Sequence, residues 1–406
     1  MTATTSPTEP ETAPEPEAPA GGGTPAQQTV TVPPPAEASG EVAMPDVVGD
    51  ASQAGVDEVA AAGLVASVQL EYDATVPAGQ IASQAPPAGT PVAAGTTVAV
   101  VVSAGIPDLF FERDGDIVQV RGATGEEIGL RAESDDVESQ PSVSRAGDLI
   151  AFRAGREGST PGLAPTGQIV TVAPGDPRSR RPLTNAGFDD RRPAISPDGS
   201  VAAFVSNRGS RPDDYDLCLV RTDGAQASPN CIGDRDVNVS RPAWSPDGRS
   251  IVVTASDDTQ TELLLYTSAT PNSPRAADWV DQGLITDTMH GDRPRDQVLS
   301  SAFSPDGTRL AFSANWKDGA FKLFTLPVNA DGTFAEEAEP SPLIPACELA
   351  WRPDGRTLAV AQRDSDCDER GRITVVDPAA PGTQTLLTAV GTNSGNPAWS
   401  PFASDE

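Results

Sequence analysis

A single histidine limits the acid–base chemistry that this sequence can perform near neutral pH. His290 is the only histidine among 406 residues, so a Ser-His-Asp relay would have to include it. It lies in the short segment 288–292, and no G-x-S-x-G nucleophile elbow occurs in the chain. We therefore expect His290 to be a solvated loop residue, and we predict no catalytic residue and no enzymatic activity.

Alternating acidic residues at 364–369 are the next candidate site, because closely spaced carboxylates can bind Ca²⁺. A calcium loop of the EF-hand type needs glycine at its sixth position and a closing glutamate at its twelfth. Those two positions hold Glu369 and Val375. The sequence also has no glycine-rich phosphate loop. We predict an exposed acidic hairpin tip, and neither a metal nor another cofactor.

Four cysteines form two pairs that are close in sequence, Cys218 with Cys231 and Cys347 with Cys367. Such spacing permits two local disulfides, which would indicate an oxidising compartment. Four reduced, buried thiols are the alternative. No C-x-x-C motif occurs, which argues against a zinc ribbon.

The tetrapeptide S-P-D-G recurs along the second half of the chain. It occurs at 196–199, 245–248 and 304–307, with a variant at 352–355 and degenerate copies beginning at Ser144 and Ser400. Proline fixes φ, aspartate tolerates left-handed backbone and glycine adopts positive φ, so a turn explains these residue types without a ligand. The positions that we assign to structural turns are Asp198, Gly199, Asp247, Gly248, Asp306, Gly307, Asp354 and Gly355.

The spacing of these turns, roughly 50 residues, is typical of propeller blades. Each copy has a Pro-x-aromatic or Pro-x-aliphatic strand before the turn and apolar strands after it. Five copies are complete, and a sixth can be assembled from residues 397–401 and 108–130. Joining the two ends closes a ring and removes exposed sheet edges. The sequence therefore predicts an all-β, six-bladed propeller over residues 106–406.

The region before the propeller has two parts of different composition. Residues 1–40 are rich in Pro, Glu and Ala, which predicts a disordered linker. Residues 41–105 read as a small α+β domain, with a capping box of Asp50 and Gln53, a helix to Ala62 and a stop at Gly63. Strands are expected at 64–70 and 96–103.

Residues 41–105 resemble a PASTA domain. The resemblance rests on M-P-D-V-V-G at 44–49, V-P-A-G-Q-I-A-S-Q-A-P-P-A-G-T-P-V at 76–92 and G-T-T-V-A-V-V-V-S-A-G at 95–105. PASTA units occur outside the membrane in bacterial Ser/Thr receptor kinases and penicillin-binding proteins, where they are associated with peptidoglycan fragments. The resemblance therefore implies peptidoglycan as a partner.

Residues 106–406 resemble the TolB-like propeller, whose repeat x-P-x-W-S-P-D-G-x-x-I-A-F is matched closely at 241–252 and 302–312. TolB is an envelope protein that binds partners through its propeller. Taken together, the two modules resemble the extracytoplasmic part of actinobacterial PASTA-containing Ser/Thr receptor kinases. The abundance of Ala, Gly, Pro and Arg, with lysine only at Lys317 and Lys322, fits the same source.

The net charge of −30 and the absence of a basic stripe exclude nucleic acid as an expected partner. Such acidity favours a monomer. No apolar run reaches the length of a membrane span, and residues 1–30 lack the pattern of a signal peptide. We still expect an extracytoplasmic or secreted protein, with an export route that the sequence does not explain.

The resulting expectation is a non-catalytic envelope protein, in which the PASTA unit contacts peptidoglycan and the propeller docks a protein or glycan. One alternative is the detached sensor half of a membrane Ser/Thr kinase. Another is the accessory propeller of a hydrolase. For the unknown propeller ligand we look first at the long insertion 270–298, with Trp279 and His290, because excess loop length often carries function.

Overall fold

A computed structural model describes most of the chain from Gly40 to Ser400. Within it, a small α+β domain precedes six four-stranded sheets, so the predicted fold class is confirmed. The described ranges are 40–73, 75–122, 124–130, 136–156, 166–209, 214–225, 228–233, 237–256, 260–286, 289, 297–316, 319–335, 339–362, 367, 371–380, 382–388 and 393–400.

The first domain is a three-stranded sheet covered by one helix. In the order β2-β5-β3, the first pair is parallel and the second antiparallel, while β1 and β4 form a separate ribbon. Val59 of the helix packs on Ile81 and Val100 of the sheet in a closed apolar core. Its elements are β1 (Glu41–Ala43), α1 (Ser52–Ala61), β2 (Val65–Glu71), β3 (Ile81–Ala85), β4 (Pro91–Ala93) and β5 (Thr97–Ser103).

The predicted capping box at the start of α1 is wrong. The N-cap is Ala51, no side chain caps the helix, and Gln53 Nε2 instead donates to Asp57 Oδ1 at 2.8 Å. Ala51 has extended backbone, and the Asp50 carbonyl before it accepts a 2.9 Å hydrogen bond from Ile81 N. The helix ends at Ala61, and Gly63 adopts the left-handed backbone expected of the predicted stop, with φ of 79°.

Blade 1 joins the two ends of the propeller. The strand β29 (Ser394–Trp399) pairs antiparallel with β6 (Leu109–Arg113), which continues to β7 (Asp116–Val120) and β8 (Glu127–Gly129). The blade therefore contains one strand from the C-terminal end of the propeller and three from its beginning.

The other five blades each use four consecutive antiparallel strands. Apolar clusters lie between neighbouring blades: Leu263 of one blade, for example, packs with Leu310 and Phe324 of the next. Blade 2 comprises β9 (Val137–Val143), β10 (Ile150–Arg156), β11 (Thr166–Ala173) and β12 (Asp176–Pro182); blade 3, β13 (Asp190–Ile195), β14 (Val201–Ser206), β15 (Asp216–Arg221) and β16 (Asn230–Ile232); blade 4, β17 (Asn238–Trp244), β18 (Ser250–Ser256), β19 (Thr261–Ser268) and β20 (Trp279–Leu284), with a 3₁₀ turn at Ala276–Asp278; blade 5, β21 (Val298–Phe303), β22 (Arg309–Ala314), β23 (Lys322–Pro327) and β24 (Glu339–Pro345); and blade 6, β25 (Glu348–Trp351), β26 (Leu358–Gln362), β27 (Arg372–Val376) and β28 (Gln384–Leu386).

The S-P-D-G turns satisfy their own polar groups. In the copy at 304–307, Ser304 Oγ donates to Asp306 Oδ1 at 2.6 Å and accepts from Arg309 N at 3.0 Å. Gly307 has φ of 73°. Burial raises the pKa of Asp306, but the hydrogen bonds from Ser304 and Thr308 outweigh it and leave that pKa below its ordinary value. The same serine–aspartate bond recurs at 196–199 and 245–248.

Both cysteine pairs are disulfides in the structure. Cys218 and Cys231 lie opposite each other on β15 and β16, so the bond ties a three-residue edge strand to its blade. Cys347 and Cys367 are also bonded, and Phe321 packs against them.

Candidate functional site

The six inner strands surround a central channel, and each contributes an equivalent pair of residues to its narrow part. This channel ring encloses about 120 Å³. It consists of Gln140-Pro141, Arg192-Pro193, Arg241-Pro242, Ser300-Ser301, Glu348-Leu349 and Asn396-Pro397.

Four of these pairs lie at β-bulges. The strand register shifts at each of them, and the residue before proline has left-handed backbone, with φ of 59° at Gln140, 55° at Arg192, 51° at Arg241 and 49° at Asn396. Such backbone is uncommon for residues other than glycine, and bulges of this kind redirect side chains next to functional sites. Here they present long polar side chains to the channel.

A hydrogen-bond network connects three blades across the ring. Arg192 Nη1 donates to Asn396 Oδ1 at 2.8 Å, and Asn396 Nδ2 donates to Glu112 Oε2 at 2.8 Å. The Gln140 side chain accepts from Arg192 N at 2.8 Å, and Gln140 N donates to Glu112 Oε2 at 3.3 Å. Glu112 thereby anchors the network from β6.

The other half of the ring holds a second pair of opposite charges. Arg241 Nη2 of blade 4 lies 3.5 Å from Glu348 Oε1 of blade 6, and both side chains are largely buried. Burial raises the pKa of Glu112 above its ordinary value, and Glu348 adds to the rise, while Asn396 and Arg192 oppose it. The channel therefore carries two carboxylates and two guanidinium groups without a large excess of either sign.

The channel widens at the ends of the inner strands into a cavity of about 530 Å³, which we call the mouth. Six residues, one from each inner strand, line both the ring and the mouth, so the two are continuous. Apolar, rigid side chains dominate the wall. They include the prolines of four turns, Pro197, Pro246, Pro305 and Pro353, and the indoles of Trp244, Trp351 and Trp399.

Two polar atoms in this wall have no hydrogen-bond partner within the part of the chain that is described. They are Ser301 Oγ, on a residue only 8% exposed, and Trp399 Nε1. The corresponding indoles of Trp244 and Trp351 each donate to a carbonyl of the preceding blade at 3.0 Å. Because buried polar atoms are normally paired, Ser301 and Trp399 mark places where a ligand can supply a partner.

The structure places the residues predicted from sequence as follows. Trp279 is buried edge-on against Trp244, with ring centroids 5.4 Å apart, and its Nε1 donates to Ser273 O at 3.0 Å. It is a core residue, so it cannot serve as a ligand contact in the insertion 270–298. His290 and the acidic segment 364–369, apart from Cys367, lie outside the described residues.

The S-P-D-G motif does not by itself reveal the residues of the mouth, because a turn already accounts for its residue types. The aspartate and glycine do shape the turn, whereas the proline between serine and aspartate faces the mouth. A proline that recurs at one position in several blades was the available signal, since equivalent positions of a closed ring converge on one axis.

No group of three or more His, Cys, Asp or Glu side chains among the described residues could hold a metal ion. The single α-helix described is too short to cross a membrane.

Comparison with solved structures shows the fold. TolB from Acinetobacter baumannii superposes with a TM-score of 0.53 at 14% identity, over 73% of this chain and 66% of that one. A putative TolB from Agrobacterium tumefaciens gives 0.50 at 15% identity, over 71% of this chain and 90% of that one.

One curated relative is similar over part of the chain. It is the protein named "Uncharacterized peptidase YuxL" of Bacillus subtilis (strain 168), which is 31% identical over 155 residues. The match covers 33% of this chain and 23% of that protein, so the chain spans less than a quarter of the relative's length.

Family comparison identifies both modules. The PASTA domain matches residues 42–104, and the family described as "Lipoprotein LpqB beta-propeller domain" matches residues 167–396, more than half of the chain. The predicted resemblances to a PASTA unit and a TolB-like propeller are confirmed, and together with the disulfides they support a binding role in the extracytoplasmic cell envelope. The chain belongs to the lipoprotein LpqB β-propeller domain family and carries a PASTA domain ahead of its propeller.

Proposed function

We propose that this protein is a non-catalytic binding protein of the cell envelope, whose PASTA unit contacts peptidoglycan and whose propeller docks a protein or glycan at the mouth. The mouth is the observation that supports docking most directly. It is an open cavity of about 530 Å³ whose wall combines proline rings and indoles with polar groups, two of which have no hydrogen-bond partner among the described residues, and such a combination is usual in ligand sites.

Wall binding can be tested by sedimentation with purified, insoluble peptidoglycan. We expect the full chain to co-sediment, and a chain that begins at Ile106 to remain in the supernatant. Soluble muropeptide fragments should release the full chain. Equal sedimentation of the two chains would show that the PASTA unit does not bind the wall.

Docking at the mouth can be tested by site-specific photo-crosslinking. A crosslinking residue at Arg145, which is exposed at the edge of the mouth, should capture a defined envelope component. The matched control places the same residue at Asp331, which is exposed in a turn of blade 5 away from the mouth. Equal products from the two positions would argue against a specific mouth site.

Two other functions are consistent with the same modules. The first is the sensor half of a membrane Ser/Thr kinase, which the PASTA unit supports. The second is the accessory propeller of a hydrolase, which the partial similarity to a protein named as a peptidase supports. Both retain the mouth as the docking surface, so the crosslinking experiment applies to each.

A further inference from the structure

The connection between the PASTA domain and the propeller is short and buried. It runs from Ser103, at the end of β5, to Asp108, immediately before β6, and both residues are at most 2% exposed. Ser103 Oγ donates to Val76 O at 2.7 Å and accepts from Gly105 N at 2.9 Å. A connection fixed in this way restricts how far the first domain can move relative to the ring.

Blade 1 packs tightly against the same connection. A Cβ atom at Gly122 would lie 2.1 Å from the carbonyl oxygen of Ile106, closer than any side chain allows. Only glycine permits this approach, because it has no side chain. The connection therefore occupies a fixed position on the propeller, and this position places the PASTA domain at the mouth.

Tyr72 is the residue of the PASTA domain that reaches the mouth. It directly follows β2 and lines the cavity together with the inner strands of the ring. Burial raises the pKa of Tyr72 to about 12, and Asp354 adds to the rise while Arg145 and Arg352 oppose it. Those three charged residues belong to turns at the edge of the mouth, so the tyrosine lies among them.

Tyr72 is partly buried, unlike most of the strand that precedes it. Val68 and Leu70 are 49% and 52% exposed, so β2 as a whole does not pack on the propeller. The cavity that Tyr72 lines also contains proline rings and indoles, which are surfaces that an aromatic ring packs against favourably. The mouth thus already holds one aromatic side chain, supplied by the end of an extended strand.

We propose that Tyr72 is a built-in occupant of the mouth, and that the mouth accepts the tyrosine-type anchor of an extended segment from a partner protein, which must displace Tyr72 to dock. This inference rests on the proposed function of the mouth. The PASTA domain then controls access to the propeller. A partner binds only after Tyr72 has left the mouth, and the free energy of that release lowers the partner's apparent affinity.

The test measures binding of a synthetic, fluorescently labelled peptide with the sequence of residues 69–75, QLEYDAT, to the full-length protein. We expect the Tyr72→Ala protein to bind it at least about tenfold more tightly than the wild type, because the competing side chain is gone. Val68→Ala is the matched control, since it truncates an exposed residue of the same strand, and it should behave as the wild type. A peptide with alanine in place of its tyrosine should lose binding to all three proteins.

Equal affinity of the wild type and the Tyr72→Ala protein would overturn the proposal. If neither protein binds the peptide, acrylamide quenching of tryptophan fluorescence decides, because three indoles line the mouth. Increased quenching in the Tyr72→Ala protein supports occupancy by Tyr72, and unchanged quenching refutes it. Sedimentation of the same variant with peptidoglycan is measured in parallel, so failure of the inference is distinguishable from failure of wall binding.

Discussion

At the scale of single residues, the channel ring keeps a polar group buried although its burial lowers the stability of the protein. Glu112 lies in a buried network in which its carboxylate accepts hydrogen bonds from Asn396 and from Gln140 N. Its pKa is nevertheless raised, since the loss of water outweighs those bonds. The surroundings of Glu112 thus disfavour its charged form, so the ionised carboxylate lowers the stability of the folded protein. Carboxylates with pKa values shifted in this way are typical of functional sites.

The sign of this effect gives a testable pH dependence. Because the folded pKa of Glu112 is raised above its ordinary value of 4.5, the carboxylate costs stability at pH values above the folded pKa. This destabilisation disappears as the pH falls below the ordinary pKa of 4.5, because the side chain is then protonated in both the folded and the unfolded chain. We expect Glu112→Gln, which keeps an acceptor oxygen, to increase the free energy of unfolding at pH 7.

Denaturant unfolding of the two proteins at pH 7 and at pH 4 measures this difference. The advantage of Glu112→Gln should shrink at the lower pH, where the wild-type side chain is protonated. A variant that is less stable than the wild type at pH 7 would show that the carboxylate stabilises the ring.

Two indoles of the mouth differ in the hydrogen bonding of their N–H groups. Trp351 Nε1 donates to Ala302 O at 3.0 Å, whereas Trp399 Nε1 has no partner among the described residues. We expect Trp351→Phe to lower the free energy of unfolding by about 1 kcal/mol more than Trp399→Phe does. Urea denaturation of both variants measures the difference, and equal losses would show that the indole bond contributes nothing.

At the scale of elements, the outer strands of the blades depend on few contacts. The strand β16 has only three residues, and Cys231 in its centre is bonded to Cys218 of the buried strand β15. We expect the double substitution Cys218→Ala and Cys231→Ala to destabilise the protein by about 3 kcal/mol, because the unfolded chain is no longer constrained.

Hydrogen exchange locates that effect within the blade. Amides of β16 should exchange faster in the double variant, while those of β14, which lies on the other side of β15, should change less. The pair Cys347 and Cys367, left intact, serves as an internal reference. Uniform exchange across blade 3 would contradict a local role for the bond.

The repeat was predictable from sequence, whereas the site was predictable only in part. Turn residues such as Asp306 and Gly307 recur because local backbone requires them, so their spacing revealed the blades. The channel ring has a different polar residue in nearly every blade, so the recurring proline after it marks the position but does not predict the side chain. The capping box failed because pairing of Asp50 with Ile81 overrode a local preference.

At the scale of the whole molecule, Tyr72 illustrates what a sequence does not contain. Nothing in the local pattern around β2 predicts that its end reaches the propeller, because the position depends on the path of the buried connection and on the space left by Gly122. The family of each domain could therefore be identified from the sequence, whereas the contact between the two domains could be seen only in the structure.

Closure of the ring is the remaining property of the whole molecule, and it depends on one strand. β29 covers the free edge of β6, where Phe110 and Phe111 are fully buried. A chain that ends at Asn393 loses this strand, so β6 becomes an exposed edge and the apolar faces of blades 1 and 6 lose a neighbour. We expect a loss of more than about 4 kcal/mol in the free energy of unfolding, together with aggregation.

A chain that ends at Ser400 is the matched control, because it keeps all of β29. It should unfold at the same temperature as the full chain and elute at the same volume in size-exclusion chromatography. If the chain ending at Asn393 unfolds cooperatively at that temperature as well, the propeller is stable as an open array and closure contributes little. If that chain is instead strongly destabilised, the mouth exists only when the two ends of the propeller pair, since all six inner strands are needed to surround it.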